Sequence, residues 1–203
     1  MNTPDDAIST TRRDSTGFRV HVFGASGAGV STLGVGLSRA LSIPVIDNDE
    51  VYWEKTDPPF RQSTPPPVRR QRLRAFFDAH ESWVNSGSMD SWGAVFIARF
   101  THAIYLTAPA EVRIPRLRAR SIERFGARVR EGGDMCAHNR EFIEWARHYD
   151  AGTEAGRSRP RHRAFIAKLG CPVLELDAAQ DQSQVLAKAL RWLETTPTRS
   201  PRG

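Results

Sequence analysis

The sequence predicts an α/β fold: a three-layer sandwich in which helices cover both faces of a five-stranded parallel sheet. Three observations lead to this class. Short apolar stretches of strand length alternate with stretches of helical periodicity, a glycine-rich loop joins the first strand to the first helix, and 203 residues suit one domain of ordinary size. Hydrophobic residues make up 39% of the chain, enough for a packed core. No apolar run approaches the ~20 residues of a membrane-spanning helix, so we expect no membrane segment.

The elements follow from the hydrophobic pattern along the chain. Residues 18–23 predict the first strand, which leads through the loop into a helix over 31–41, and a short strand over 44–46 follows. The proline-rich segment 56–67 predicts an ordered surface loop, because proline disrupts both helices and central strands. Further strands are predicted over 83–86, 102–107 and 172–176, and helical faces around 73–80, 111–125, 142–149, 165–169 and 186–193.

One domain is expected over residues 18–194, with a loose segment at each end. Residues 1–17 are polar and lack the apolar stretch of a secretion signal, which predicts a flexible leader on a cytoplasmic protein. Residues 195–203 predict a flexible tail. The two cysteines are too few for a disulfide framework or a metal-binding cluster, which favours free thiols in a reducing compartment.

The charge of the chain is basic and resides almost entirely on arginine. There are 29 Lys+Arg against 23 Asp+Glu, which gives a formal net charge of +6. Only three of the basic residues are lysines, so 26 are arginines. Because arginine binds phosphates and carboxylates well, this composition predicts an anionic partner, either a phosphorylated small molecule or a nucleic acid.

The most informative motif is the glycine-rich loop after the first strand. It has the form G-x-x-x-x-G-x-S-T and comprises Gly24, Ala25, Ser26, Gly27, Ala28, Gly29, Val30, Ser31 and Thr32. Glycines allow backbone amides to turn inward around a phosphate, and the helix that follows points its positive end at the same place. Ser31 is placed to ligate Mg²⁺ through its hydroxyl, with Thr32 next to it near the phosphates. The alternative is a glycine-rich turn that binds no ligand.

One position of the loop departs from the phosphate-binding pattern. Val30 stands where the pattern has a lysine that reaches the β- and γ-phosphates. Loss of a positioned donor to a developing anion costs about 3 kcal/mol, or roughly a hundredfold in rate. Backbone amides still hold phosphates without the lysine, so the loop predicts nucleotide binding more strongly than catalysis. An arginine from elsewhere in the chain could take its place.

With this loop between a strand and a helix, the chain resembles the adenylate-kinase-like branch of P-loop kinases over residues 18–194. The branch includes shikimate kinases and topology modulation proteins. The resemblance extends to a bacterial group with GASGAG-type loops, an acidic DxD followed by an aromatic, a TDPPF segment and a WVxSGS segment. In that group a small residue, commonly threonine, often replaces the loop lysine. The resemblance implies the strand order 2-3-1-4-5, ATP and Mg²⁺ as cofactors, and a mobile lid over about 126–160.

The resemblance also assigns residues after the second and third strands. Carboxylates after the second strand lie near the acceptor and the metal in related kinases. This implies a catalytic and metal-binding role for Asp49 and a substrate-binding role for Asp47. Asp49 could instead belong to a solvated helix cap. Trp53 and Gly87 match an aromatic and a glycine near the acceptor, although a lone aromatic is equally compatible with a core position. Ser86 stands where many relatives have an acidic residue, which leaves a magnesium shell incomplete.

Arginines recur on one stripe of the helix after the fourth strand, at Arg113, Arg116, Arg120 and Arg124. In relatives, lid arginines close over the phosphates of the nucleotide and stabilise their charge. The resemblance therefore implies catalytic roles for Arg116, Arg120 and Arg128. The alternative is a solvated arginine face.

These observations predict a nucleotide-binding protein of the small-molecule kinase type, which transfers the γ-phosphoryl group of ATP to a small acceptor near Asp49, Trp53 and Gly87. A second interpretation, favoured by Val30 and Ser86, keeps the binding without the chemistry, as in a pseudokinase or a nucleotide-sensing module. A third is a basic nucleic-acid-binding protein. Because no RNA- or DNA-binding fingerprint accompanies the arginines, nucleic acid is not an expected partner.

Overall fold

Five strands form the central sheet of the computed structural model, which describes residues 17–197. They are β1 (Arg19–Gly24), β2 (Val45–Asp47), β3 (Trp83–Ser86), β4 (His102–Thr107) and β5 (Val173–Asp177). The order across the sheet is β2-β3-β1-β4-β5, and each neighbouring pair is parallel. The predicted fold class and strand order are confirmed. The predicted leader before residue 17 and the predicted tail after residue 197 lie outside the described residues.

Seven α-helices lie within the described residues. They are α1 (Val30–Leu41), α2 (Asn48–Tyr52), α3 (Pro66–Ala79), α4 (Ala110–Phe125), α5 (Cys136–Arg147), α6 (Arg159–Ile166) and α7 (Gln182–Thr195). Pro66 and Pro67 form the first turn of α3, so the proline-rich loop ends two residues earlier than predicted. Proline is tolerated there because the first amides of a helix have no partner within it. Within residues 17–197, none of the helices combines the length and apolar character that crossing a membrane requires.

Helices cover both faces of the sheet, which explains why the strands are rich in apolar residues on both sides. In β1, Val20 and Val22 pack with side chains of α1 and α7, whereas Phe23 packs with side chains of α3 and α6. The same alternation separates Ile104 from Tyr105 in β4. Successive side chains of a strand point to opposite faces, so each strand contributes to both cores.

The segment predicted as a lid, about residues 126–160, begins directly after α4. A short 3₁₀ segment, Gly126–Val129, follows α4 and leads into α5. Ile143 and Ala146 of α5 form a small apolar cluster with Ile114 and Leu117 of α4. This contact fixes where the chain returns to the sheet at α6.

The carboxyl ends of β2, β3 and β1 are adjacent, because these three strands are neighbours in the sheet. The glycine-rich loop follows β1, the acidic segment follows β2 and Gly87 follows β3. Ligands of open α/β sheets bind in the crevice outside the carboxyl ends of the strands. The topology therefore brings the residues of all three predicted segments to one edge.

Candidate functional site

The glycine-rich loop curls around open space between β1 and α1. Gly27 and Gly29 have φ angles of +83° and +86°, which glycine adopts without steric cost. A Cβ added at Gly27 would lie 2.7 Å from the carbonyl oxygen of Arg113, whereas no described atom lies within 4 Å of a Cβ added at Gly29. No side chain of the described residues caps α1. The amides of its first turn are therefore available to an anion.

Arg113 supports this loop from behind. Its side chain is fully buried, and its guanidinium donates to the carbonyl oxygen of Ser26 at 3.3 Å. Further donations reach the carbonyl oxygens of Ala108 at 2.9 Å and Ala146 at 3.1 Å. Nη2 also pairs with Asp150 Oδ2 at 2.9 Å. This member of the predicted stripe therefore joins α4, α5 and the loop and does not form part of a solvated face.

The acidic segment, residues 47–49, is held at the end of β3 by hydrogen bonds of the asparagine between its two carboxylates. Asn48 is buried; its amide nitrogen donates to the carbonyl oxygen of Gly87 at 2.8 Å. Its side-chain oxygen accepts from Asn85 Nδ2 at 2.7 Å. Because Asn48 faces inward, Asp47 and Asp49 on either side of it remain accessible.

Asp47 contacts the loop directly. Its Oδ2 accepts from Ser31 Oγ at 2.5 Å, and its Oδ1 accepts from the backbone amide of Asp49 at 2.9 Å. A hydroxyl and a carboxylate thus lie together at the start of α1, and oxygen atoms are the ligands that Mg²⁺ prefers. The structure brings Asp47 to Ser31, where the sequence predicted Asp49 as the second metal ligand.

Magnesium fits this donor set. Residues 17–197 contain no group of three or more His, Cys, Asp or Glu side chains that could hold a metal ion. In phosphate sites, however, Mg²⁺ is held by only one or two carboxylates together with water and the phosphates themselves. Ser31 and Asp47 are sufficient protein ligands for that arrangement.

Asp49 lies at the open mouth of the site among charged neighbours. Solvent reaches its side chain, yet the surrounding protein raises the pKa of its carboxyl by desolvation. Asp47 adds to this effect, while Arg157, Arg120 and Arg124 oppose it by favouring the charged form. An accessible carboxylate with a raised pKa is suited to accepting a proton.

Gly87 allows β3 to approach the acidic segment closely. Its φ is +101°, and an added Cβ would lie 3.0 Å from the Cβ of Asn48 and 3.4 Å from Asp47 Oδ1. The preceding Ser86 is buried against Gly34 of α1, and its hydroxyl has no hydrogen-bond partner among the described residues. Gly87 therefore lies against the acidic segment, and its role at the acceptor stays a prediction, whereas the hydroxyl of Ser86 is buried away from that segment's carboxylates.

Trp53 belongs to an aromatic cluster at the edge of the site. Its ring meets Tyr52 edge-on at 4.8 Å and Phe60 at 5.9 Å between centroids, and its backbone bridges to Ser63. Phe60 in turn contacts Phe125 at the end of α4 with the centroids 6.2 Å apart. Trp53 is half-buried, so it both packs against the proline-rich loop and presents an edge to solvent.

A cleft of about 710 Å³ extends from the loop to the connection between β5 and α7. Arg116 and Arg120 line it from α4. Arg116 donates to the carbonyl oxygen of Ala178 at 2.7 Å, which holds it at the β5 side. Desolvation lowers the pKa of Arg120, and Asp49 opposes this shift, so Arg120 lies on the side of the acidic segment. The two predicted arginines thus occupy different ends of the cleft.

Arg128 is held by carboxylates instead of facing the loop. It pairs with Asp57 at 2.7 Å and with Asp134 at 2.6 Å, and these hydrogen bonds raise the pKa of its guanidinium. Arg128 therefore links the proline-rich loop to the segment after α4. Its predicted contact with the phosphates stays a prediction.

The sequence did not single out two residues that the structure brings to the site. Arg157 Nη1 donates to Ser26 Oγ at 3.1 Å, across 131 positions of sequence. His162 is buried between Ser88 Oγ at 2.9 Å and Tyr149 OH at 2.8 Å. The sequence signal for these two residues was a run of basic residues over 157–163, and such a run does not indicate which of its side chains reaches the site.

Comparison with known proteins identifies a relative with a similar sequence. The chain is 35% identical to the uncharacterized protein YqaC of Bacillus subtilis (strain 168) over 177 residues, which cover 87% of this chain and 97% of that protein. The chain belongs to the YqaC family. No protein-family model matches it.

Solved structures resemble the chain at the level of the fold. A shikimate kinase from Bacteroides thetaiotaomicron superposes with a TM-score of 0.51 and 19% identity over 87% of this chain and 97% of the other. A gluconokinase from Sinorhizobium meliloti 1021 has a TM-score of 0.48 and 16% identity over 88% and 92%. The likeness to the shikimate kinase confirms the predicted P-loop kinase-like fold for this member of the YqaC family.

Proposed function

We propose that the chain binds ATP with Mg²⁺ on the glycine-rich loop and transfers the γ-phosphoryl group to a small-molecule acceptor. The contact between Ser31 at the start of α1 and Asp47 at the end of β2 carries this proposal. It places a hydroxyl and a carboxylate beside the free amides of the loop, and a nucleotide bound with Mg²⁺ needs such a set of donors.

The phosphates would lie in the loop, residues 24–32, against the free amides at the start of α1. Ser31 and Asp47 would hold Mg²⁺, which when bound neutralises charge on the β- and γ-phosphates. The nucleoside would extend along the cleft toward Arg116 and the connection between β5 and α7.

The acceptor would lie between Asp49, Trp53 and Gly87. Its hydroxyl oxygen forms the new bond to the γ-phosphorus while the bond from that phosphorus to the β-phosphate oxygen breaks, and ADP leaves. Asp49 accepts the hydroxyl proton, for which its raised pKa is favourable. Arg120 lies close enough to Asp49 to balance negative charge at the same place.

Calorimetric titration with ATP, in the presence and absence of Mg²⁺, tests this function. We expect saturable heat that depends on Mg²⁺, and a weakening of about tenfold or more in Ser31→Ala because a metal ligand is lost. Ser38→Ala is the matched control, since Ser38 lies at the other end of α1 and donates to the carbonyl oxygen of Ile43 at 2.6 Å. Absence of heat together with absence of thermal stabilisation would refute the proposal.

Nucleotide binding without phosphoryl transfer is the second candidate. The observation that favours it is Val30, which packs against the apolar core beside α1 and carries no donor for a phosphate. Saturable ATP binding with no turnover against a broad panel of small hydroxyl acceptors supports this candidate. Turnover that disappears in Ser31→Ala excludes it.

A further inference from the structure

The loop contains no cationic side chain. Val30 occupies the lysine position, is partly buried and packs with the core formed by α1, α7 and the sheet. A terminal phosphate group carries more negative charge than backbone amides alone neutralise, and a positioned cation is the usual complement. If the proposed function holds, another side chain has to bring positive charge to this loop.

Arg157 is the arginine that contacts a loop side chain. Its Nη1 donates to Ser26 Oγ at 3.1 Å, and the residue is half-buried. The hydroxyl of Ser26 is neutral, so the charge of Arg157 is not balanced by this contact. The guanidinium has several further N–H donors that can bind phosphate in a bidentate manner.

The other arginines of the run over 157–163 form ion pairs with carboxylates, whereas Arg157 forms no ion pair among the described residues. The pairs are Arg159–Asp150, Arg161–Asp90 and Arg163–Glu175. Within residues 17–197, Arg157 belongs to no ion pair. The guanidinium of Arg157 thus lies beside the loop without an ion pair of its own, so it is available to an anion bound there.

Arg157 also shares its surroundings with Arg120. Both guanidiniums act on Asp49 and favour its charged form, and each is close enough to disfavour the charged form of the other. Two arginines thus converge on a single accessible carboxylate next to the loop.

The fold holds Arg157 in place before any ligand arrives. It immediately precedes α6, whose N-cap Ser158 accepts from the amide of Arg161 at 3.4 Å. The backbone amide of Arg159 donates to the carbonyl oxygen of Tyr149 at 2.8 Å, and buried His162 binds Ser88 at the end of β3. These contacts hold the backbone next to Arg157 at the carboxyl end of the sheet, which lowers the cost of positioning its side chain for a ligand.

We infer that Arg157 binds the terminal phosphates of the nucleotide and so replaces, from a different part of the chain, the lysine that the loop lacks. This inference deepens the proposed function and depends on it. Arg157 is assigned as a phosphate-binding residue; Ser26 positions it by accepting its hydrogen bond.

Calorimetry with ATP, ADP and AMP on the full chain tests the inference. In Arg157→Gln, ATP binding is expected to weaken by about ten- to a hundredfold, as for the loss of one charged hydrogen-bond donor. ADP binding should weaken less, because ADP lacks the γ-phosphate, and AMP binding least, because AMP lacks both the β- and the γ-phosphate. Arg157→Lys should retain part of the ATP affinity. Arg163→Gln is the matched control, since Arg163 lies on α6 and pairs with Glu175.

A second substitution makes the test specific for replacement of the lysine. Val30→Lys introduced into Arg157→Gln should restore ATP affinity to within about threefold of the parent, because it returns the missing charge to the loop. Circular dichroism and thermal unfolding verify that each variant is folded.

The outcomes separate the two proposals. Unchanged ATP affinity in Arg157→Gln, or an equal loss for ATP and AMP, overturns the role of Arg157 while the proposed function stands. Absence of ATP binding in the parent protein refutes the proposed function itself, and the inference falls with it.

Discussion

At the scale of single residues, burial and partners decide what an arginine does. Arg113 is fully buried and directs its donors at three carbonyl oxygens and Asp150. Arg157 is half-buried and donates to a neutral hydroxyl of the loop. Both contact Ser26, one through its backbone and the other through its side chain. Arg113 therefore holds the loop in shape, whereas Arg157 is available to a ligand.

Replacing Arg113 with methionine is expected to lower the free energy of unfolding by about 3 kcal/mol, because a buried ion pair loses one partner and buried carbonyls lose their donor. Asp150 retains Arg159 at 2.7 Å, which limits the loss. Urea unfolding measures the change. Arg118→Met on the exposed side of the same helix is the control and should stay within about 0.5 kcal/mol of the parent. Equal free energies of unfolding in the two variants would show that Arg113 does not stabilise the fold.

At the scale of elements, a chain of hydrogen bonds attaches α6 to the sheet. Asp90 accepts from Ser88 at 2.6 Å, Ser88 bonds to His162 at 2.9 Å, and His162 bonds to Tyr149 at 2.8 Å. The hydroxyl of Tyr149 reaches that of Tyr105 in β4, also at 2.8 Å. Desolvation lowers the pKa of His162 well below its ordinary value, so the imidazole remains neutral within this chain. The network joins the end of β3, α6 and β4 into one support.

Stability is expected to fall as the pH decreases from about 6.5 toward 4. Desolvation also lowers the pKa of His21, to about 4, and that of His102. The unfolded chain binds protons on these histidines below pH ~6.5 while the folded chain does not, so acid favours unfolding, by up to about 1.4 kcal/mol per pH unit for each histidine. Urea unfolding at several pH values measures this slope.

A substitution at His162 of α6 measures how much this histidine contributes to the dependence of the unfolding free energy on pH. His162→Gln should make the dependence shallower, because one titrating group is removed and the effects of other groups cancel in the comparison. Gln71→Ala on the exposed side of α3 is the control and should leave the slope as in the parent, because it removes no titrating group. Identical slopes in the parent and in His162→Gln would rule out a buried neutral histidine at this position.

At the scale of the whole molecule, several arginines of the two basic runs, 69–74 and 157–163, have partners within the protein. In the basic run over 69–74, Arg69 is buried, and its guanidinium lies 3.6 Å from the centre of the Tyr52 ring. Arg72 of the same run pairs with Glu54 at 3.7 Å. Most arginines of the run over 157–163 pair with carboxylates as described above. Arginines of both runs therefore have partners within the protein, and we expect an anion to bind in the cleft near the loop.

Nucleic-acid binding is expected to be weak and sensitive to salt. Electrostatic contacts with phosphates lose their advantage as counterions are added, so any complex seen at about 50 mM salt should weaken about a thousandfold or more at about 200 mM. A gel-shift titration at both concentrations measures this, and ATP binding to the same preparation serves as the positive control. A sequence-selective complex that survives the higher salt would favour the nucleic-acid interpretation.

The strands and the glycine-rich loop could be predicted because buried parallel strands are short stretches rich in apolar residues and glycines mark the turn between β1 and α1. The helix α2 and the 3₁₀ segment Ala94–Arg99 were not predicted, since elements of five or six residues are too short to show periodicity. The proline-rich stretch was predicted to end too late, because proline also suits the first turn of a helix.

The sequence by itself determined the α/β class, the loop with Val30 in the lysine position, and the abundance of arginine. Only the tertiary structure decided that Ser31 meets Asp47 rather than Asp49, and that Arg157 donates a hydrogen bond to a side chain of the loop. Periodicity and motif spacing describe neighbours along one element. Ser26 and Arg157 are 131 positions apart, and packing of α6 against the carboxyl end of the sheet brings them together.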